Sequence, residues 1–326
     1  RDAGRSGPVT TQILVADIGG THARFAVWRD NGLEQIEVLA TADYSSPESA
    51  LAAYLERAGL SLGAGSAVCL ACAGPVSDGD FQFTNNHWRI NRAAFCQALH
   101  IERLLLINDF AATALGVTLL EPNERLAVRA GHAQADRPVV VMGPGTGLGA
   151  ANLLPKGAGE WQALPGEGGH VDLPIGSESE AELWLLLHRQ FGAVQAEDVL
   201  SGAGLLALYA AVCQRNGQPA QHANAAQICA AALQGESLAT NALEQFCVWL
   251  GRVAGNHALS LGAHGGVYIV GGMVPRFADF FLRSGFAAAF ADKGAMGDYL
   301  ADVPVWLVTA PYPGLLGAGV ALQQAG

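Results

Sequence analysis

The sequence predicts an α/β protein of two domains, each built on a mixed β-sheet flanked by helices. Three observations point there. The chain has 326 residues, enough length for two hydrophobic cores. Strand-like apolar runs open each half and helical patterns follow them. The same device also occurs twice: an apolar strand, a glycine turn carrying threonine, then another strand. It stands at Gly19-Gly20-Thr21 and again at Gly145-Thr146-Gly147. The expected layout is a flexible lead-in over 1–11, a smaller α/β domain over 12–118 with 310–326, and a larger α/β domain over 119–309. A polar, mixed-charge stretch at 118–137 reads as the crossing between them.

Residues 13–17, 23–28 and 35–40 read as consecutive strands, with Asn31-Gly32 as the second turn. Ser46 and Pro47 open a helix that puts Leu51, Tyr54 and Leu55 on one face. A buried strand at 66–73 ends at Gly74-Pro75, and a short hairpin partner begins at Phe81. Asn91 caps a helix over 92–99, and the buried strand 104–107 runs straight into Asn108-Asp109 and another helix. Only the later part of this order alternates strand with helix, so the sheet is antiparallel at one edge and parallel further in. In the second half, strands at 139–142 and 150–154 flank the repeated turn, and Glu178 to Leu261 is mostly helical. Strands at 266–270 and 303–308 follow, and Gly314 to Gln324 forms a small-residue helix returning to the first domain.

Composition narrows the function. A net charge of −11 argues against nucleic acid or an anionic membrane as partner. No apolar run reaches the ~20 residues that span a bilayer, and the polar opening Arg1 to Pro8 is unlike a signal peptide. Of six cysteines, Cys69 and Cys72 match C-x-x-C, but on a strand they face opposite ways, which suits neither a redox pair nor a metal site. Buried reduced cysteines in a cytoplasmic protein are the expectation.

The two glycine turns carry the chemistry. Glycines let backbone N–H groups approach an anion, and successive amides in a turn form a phosphate-holding nest. Asp17 beside such phosphates calls for a cation between, and Mg²⁺ held largely through water fits that place. A plain Asp/Gly hairpin gives the same residues. No G-x-x-x-x-G-K-[ST] occurs. Gly145-x-Gly147-x-x-Ala150 satisfies a dinucleotide fingerprint, but the residues after it look like a strand where that fold needs a helix. Asp109, where a buried strand meets a helix, could take a proton from a hydroxyl; taken alone, it reads first as the cap of the helix starting at Phe110. Glu167 and His170 sit on a glycine-rich loop, fit to hold adjacent hydroxyls or to be two of three metal ligands. Glu197 reads by default as a charge on a helix face, and Gly271-Gly272 as backbone on which a flat base could lie or a turn ahead of Pro275.

Asp17-x-Gly19-Gly20-Thr21-x-x-Arg24, Asn108-Asp109-Phe110, Gly145-Thr146-Gly147, Leu164-Pro-Gly-Glu167-Gly-Gly-His170 and Gly271-Gly272 occur in that order. Together they resemble the bacterial glucokinase family, within the hexokinase/actin/heat-shock ATPase superfold, over nearly the whole chain. The zinc-binding cysteine cluster of the repressor-related sugar kinases is missing. The resemblance implies two ribonuclease H-like domains with the active site in the cleft between them. It implies transfer of a phosphoryl group from ATP to the 6-hydroxyl of glucose. Asp109 would be the general base, and Asn108, Asp109, Glu167, His170 and Glu197 would hold the sugar. Asp17, Ile18, Gly19, Gly20 and Thr21, with Gly145, Thr146 and Gly147, would hold the ATP phosphates and Mg²⁺, and Gly271 and Gly272 would border adenosine. A homodimer is implied too. His22 departs from the Asn more usual there, and Thr84-Asn85-Asn86-His87-Trp88 departs from Thr-Asn-His-x-Trp, leaving only a sugar-side contact to expect. Alternatives are a kinase for another hexose or an amino sugar, a non-catalytic sugar sensor on the same fold, and a dinucleotide-dependent dehydrogenase. The sensor reading expects an appended DNA-binding helix pair, where here the first strand starts near residue 13.

Overall fold

A computed structural model describes residues 11–63, 65–74, 76, 80–83 and 86–326. The expected lead-in (all but residue 11), Pro75, Thr84 and Asn85 lie outside the described residues. The chain divides into two compact units: one takes the chain up to Leu120 and again from Tyr312, the other runs from Glu121 to Pro311.

In the first unit, β1 (Ile13–Ile18), β2 (His22–Arg29) and β3 (Gly32–Ala40) form an antiparallel meander. The turn between β2 and β3 is centred on Asp30 and Asn31, both at positive φ, one residue earlier than Asn31-Gly32; this is the type I′ geometry that matches strand twist. Helix α1 (Pro47–Ala58) starts as expected, with Ser46 accepting from the Ser49 amide and Gly59 closing it in the left-handed region. The chain continues through β4 (Ala67–Cys72), the two-residue pair β5 (Phe81–Gln82) and β6 (Arg89–Ile90), α2 (Arg92–Leu99), β7 (Arg103–Asn108) and α3 (Asp109–Gly116). The sheet order is β3-β2-β1-β4-β7, with β1, β4 and β7 parallel. Leu14, Ala16 and Ile18 of β1 pack with Phe25, Tyr54, Leu70, Trp88 and Phe95 in one core. Strand alternation therefore sends Val15 and Asp17 to the opposite face.

Within the second unit, β8 (Arg125–Arg129) pairs at one sheet edge, so the stretch expected to be only a crossing holds a strand. The hairpin β9 (Val139–Pro144) and β10 (Leu148–Gly157) follows, then β11 (Glu160–Gly166), α4 (Glu178–Phe191), α5 (Gly202–Arg215), α6 (Ala225–Leu233) and α7 (Ser237–Leu261). After these come β12 (Val267–Ile269), α8 (Ala278–Arg283), α9 (Phe286–Ala291) and β13 (Val305–Val308). The order is β11-β10-β9-β12-β13-β8, and β9, β12 and β13 are parallel. Apart from β8, this repeats the first sheet: three antiparallel strands, then two parallel to the first of them. Helix α7, with Phe246, Trp249 and Leu250 fully buried, runs through the core of this unit.

The last helix, α10 (Pro313–Gln324), belongs to the first unit and lies against α3. A Cβ at Gly116 would overlap the Pro313 carbonyl, and one at Gly317 the Ala112 carbonyl. Backbone meets backbone there because neither glycine carries a side chain. The two helices are thereby locked to the sheet end where α3 begins.

Candidate active site

In the first unit the ends of three parallel strands come level: Ile18 pairs with Cys72 and Cys72 with Asn108. At a strand spacing of about 4.8 Å, the turn after β1 and the start of α3 lie about 10 Å apart, with β4 between. Cys72 reports that arrangement. Burial is the main cause pushing its thiol up, Cys69 adds to it, and the negative charges of Asp109 and Asp17 on either side add more. Both cysteines of the C-x-x-C are fully buried and free, with Cys72 in the core and Cys69 facing the other way.

Asn108, not Asp109, caps α3. Its Oδ1 accepts from the Phe110 and Ala111 amides at 3.1 and 2.9 Å, and its Nδ2 donates to the Gly74 carbonyl and to Asp109 Oδ1. Asp109 is the first helical residue. Its Oδ1 also accepts from the Phe110 amide at 2.8 Å. The carboxylate is held in one orientation at a strand end, where ligands of open α/β sheets bind.

The turn Gly19-Gly20-Thr21 is tied from behind. Asn86 Nδ2 donates to the Gly19 carbonyl at 3.0 Å and Thr41 Oγ1 to the Gly20 carbonyl at 2.9 Å. Among the described residues nothing accepts from the Gly20 or Thr21 amides, so the turn offers N–H groups outward. Asn86 thus supports this turn, where only a sugar-side contact was expected of its segment. Asp17 faces Arg24, its cross-strand partner, at 3.5 Å. Burial holds the Asp17 carboxyl above the usual carboxylate range, and Arg24 only partly offsets it. With 28% of the side chain exposed, solvent shares in balancing the charge. A Cβ at Gly314, at the start of α10, would stand 3.2 Å from Asp17 Oδ2. Arg24, Thr41, Asn86 and Gly314 were not assigned roles from sequence. Arg24 was findable: a four-residue turn, 19–22, closing 18 onto 23 sets 17 opposite 24.

The second unit has its own arrangement. Gly145 donates to the Gly147 carbonyl at 2.8 Å, and the Gly202 amide holds the Gly145 carbonyl at 2.9 Å. Thr146 is exposed at the tip, and among the described residues nothing accepts from the Thr146 or Gly147 amides. Glu197 is not on a helix face. It sits in a turn before α5 whose backbone runs beside the Glu167 loop: Glu197 N donates to Gly169 O and Ala196 N to Val171 O. Glu197 Oε2 accepts from the Leu148 amide at 2.7 Å, and a Cβ at Gly147 would overlap that oxygen. His170 stands between two acids, its Nε2 3.5 Å from Glu197 Oε1 and its Nδ1 3.6 Å from Glu167 Oε2. Gly271, at φ +97°, follows β12 beside Pro144, next to the same turn. The fold therefore gathers Gly145, Thr146, Gly147, Glu167, His170, Glu197, Gly271 and Gly272 at one end of one sheet. It likewise gathers Asp17, Ile18, Gly19, Gly20, Thr21, Asn108 and Asp109 at one end of the other.

A sequence model of the glucokinase family, described as "Glucokinase", matches residues 14–325. The chain belongs to the glucokinase family. It is 58% identical to the glucokinase of Pseudomonas paraeruginosa over 96% of this chain and 92% of that one. It is 56% identical to a glucokinase of Pseudomonas aeruginosa over 96% and 95%. Among solved structures, a glucokinase from an Antarctic psychrotroph superposes with a TM-score of 0.87 at 38% identity, covering 97% of this chain and 99% of that one. A strand, not a helix, follows the 145–147 turn, so no helix N-terminus meets a pyrophosphate there and the dinucleotide-fold reading falls.

Proposed function

We infer that the protein is a glucokinase that transfers the terminal phosphoryl group of ATP to the 6-hydroxyl of glucose. One observation carries the reading: the Glu167–His170–Glu197 cluster is built onto the same turn that presents the Thr146 and Gly147 amides. Groups that hydrogen-bond a polyol thus adjoin groups that hold phosphate.

In this mechanism Asp109, oriented through its Oδ1, accepts the proton of the attacking hydroxyl. Asn108 fixes Asp109 and the start of α3, and contributes a sugar contact. Glu167, His170 and Glu197 hold the remaining hydroxyls. The amides of the 19–21 and 145–147 turns hold the phosphates, and the backbone at Gly271 and Gly272 borders adenosine. Phosphoryl transfer asks mainly for alignment and charge stabilisation, and these are what the two turns supply.

Asp17 fits Mg²⁺. Its carboxyl is short of balancing charge, and Gly314 leaves the space beside it open. Among the described residues no three His, Cys, Asp or Glu converge as a metal cage, so the ion would take most ligands from phosphate and water. Bound there, Mg²⁺ would neutralise charge on the phosphates. We also propose a homodimer in the cytoplasm; among the described residues no helix is long and apolar enough to cross a membrane.

A panel of hexoses and amino sugars with ATP and Mg²⁺, read by ADP release and ³¹P NMR of the product, tests the reading. Glucose 6-phosphate as the best product supports it. Preference for another hexose or an amino sugar would reassign the substrate, and no ADP release with any sugar would favour a sensor.

A further inference from the structure

We infer that His257 positions the sugar-holding loop of this enzyme, through the Gly168 carbonyl and by filling the space beneath Gly168. This rests on reading Glu167 and His170 as glucose ligands. His257 lies near the end of α7, outside every motif that marked the site. Its Nε2 is 3.1 Å from the carbonyl oxygen of Gly168. A carbonyl only accepts, so Nε2 carries the hydrogen and donates. A Cβ at Gly168 would overlap His257 Cε1, so ring and loop backbone are in direct contact. A Cβ at Gly168 would also crowd Ala150 Cβ, and one at Gly169 would overlap the Leu148 carbonyl. The two glycines thus pack directly against an imidazole and β10. Leu148 in turn gives its amide to Glu197. One continuous stack, His257, Gly168-Gly169, Leu148 and Glu197, sets the height at which Glu167 and His170 stand.

The side chains of Glu167 and His170 are 83% and 46% exposed, so apart from their contacts with each other and with Glu197 their own backbone fixes them. That backbone is what His257 holds. Burial also pushes the His257 ring below the usual histidine range, against the smaller opposing effect of its bond to Gly168. A neutral ring with one donor is the form this contact uses. Its partner is the loop, not the phosphate turn, so its loss acts on sugar binding more than on nucleotide binding.

The test is steady-state kinetics and thermal melting of wild type, His257→Leu, His257→Asn and His257→Gln. Glutamine places an N–H where Nε2 was; asparagine is too short and leucine has none. The expected result is a KM for glucose raised about tenfold in the Leu and Asn variants, in line with one lost hydrogen bond. Their KM for ATP stays within about twofold and kcat within about threefold, and glutamine restores most of the glucose KM. An unchanged glucose KM in His257→Leu overturns the inference, as does an equal rise for both substrates. Should His257→Leu not fold, equal glucose KM values for the Asn and Gln variants overturn it. A wild-type enzyme that neither binds nor phosphorylates glucose strikes the parent reading, and this one with it.

Discussion

The turns at 19–21 and 145–147 look alike in sequence but are supported in different ways. Each joins two antiparallel strands, each presents two amides with no acceptor among the described residues, and each carries an acid. In the first, the acid is Asp17, on the strand leading into the turn, partly offset by the residue opposite it on the next strand. In the second, the acid is Glu197, fifty residues past the turn, brought to Leu148 because Gly147 has no side chain in its way. A local hairpin can carry its own charge. The second turn borrows its charge, and with it the Glu167–His170 loop is brought alongside.

Within these turns the largest effect is expected for Asp17→Asn. Losing the carboxylate at the phosphates should lower kcat about 100-fold or more. The same change should raise apoprotein stability. Because burial holds this carboxyl above the usual range, the native state keeps a proton that the unfolded chain releases. Wild-type stability therefore falls as pH rises from the ordinary aspartate value through the raised one, and stays lower above it. Asp17→Asn should melt about 1–3 °C higher at neutral pH, with no gain below the ordinary aspartate range. A lower melting point at neutral pH would mean Arg24 contributes more than burial costs. Gly147→Ala comes next. Its Cβ displaces Glu197 by something near 1 Å, enough for a loss of about 10² in kcat/KM. Activity within fivefold of wild type would show that the borrowed acid needs no close approach. The smallest effect is Asn86→Ala, which removes one support behind Gly19 and should raise the KM for ATP about 3- to 10-fold. A change in glucose KM alone would place Asn86 with the sugar instead.

The same contrast explains what could be read ahead of the structure. The hairpins, the Ser46 and Asn91 caps and the mixed sheet order follow from local pattern, and the structure has them. Strand β8 was hidden because it is a short edge strand, Arg125–Arg129, with charged ends and an exposed Leu126. Strand β11 was hidden because it is mostly exposed and ends in Pro165-Gly166, which reads as loop. Two neighbouring cap-formers made Asp109 look like the cap of α3, although Asn108 reaches two amides. The motifs named most residues of the candidate site, but Asn86, Thr41 and His257 act on backbone carbonyls far from them in sequence. Backbone carbonyls leave no mark on the chain.

In the proposed mechanism a carboxylate at the end of β7 takes the proton of the sugar's hydroxyl. Measuring glucose affinity by titration calorimetry and turnover on the same Asp109→Asn preparation tests it most directly. The expected result is glucose binding within about threefold of wild type and turnover lower by about 10² to 10⁴ or more. Turnover near wild type in that variant, with glucose still bound, would contradict it.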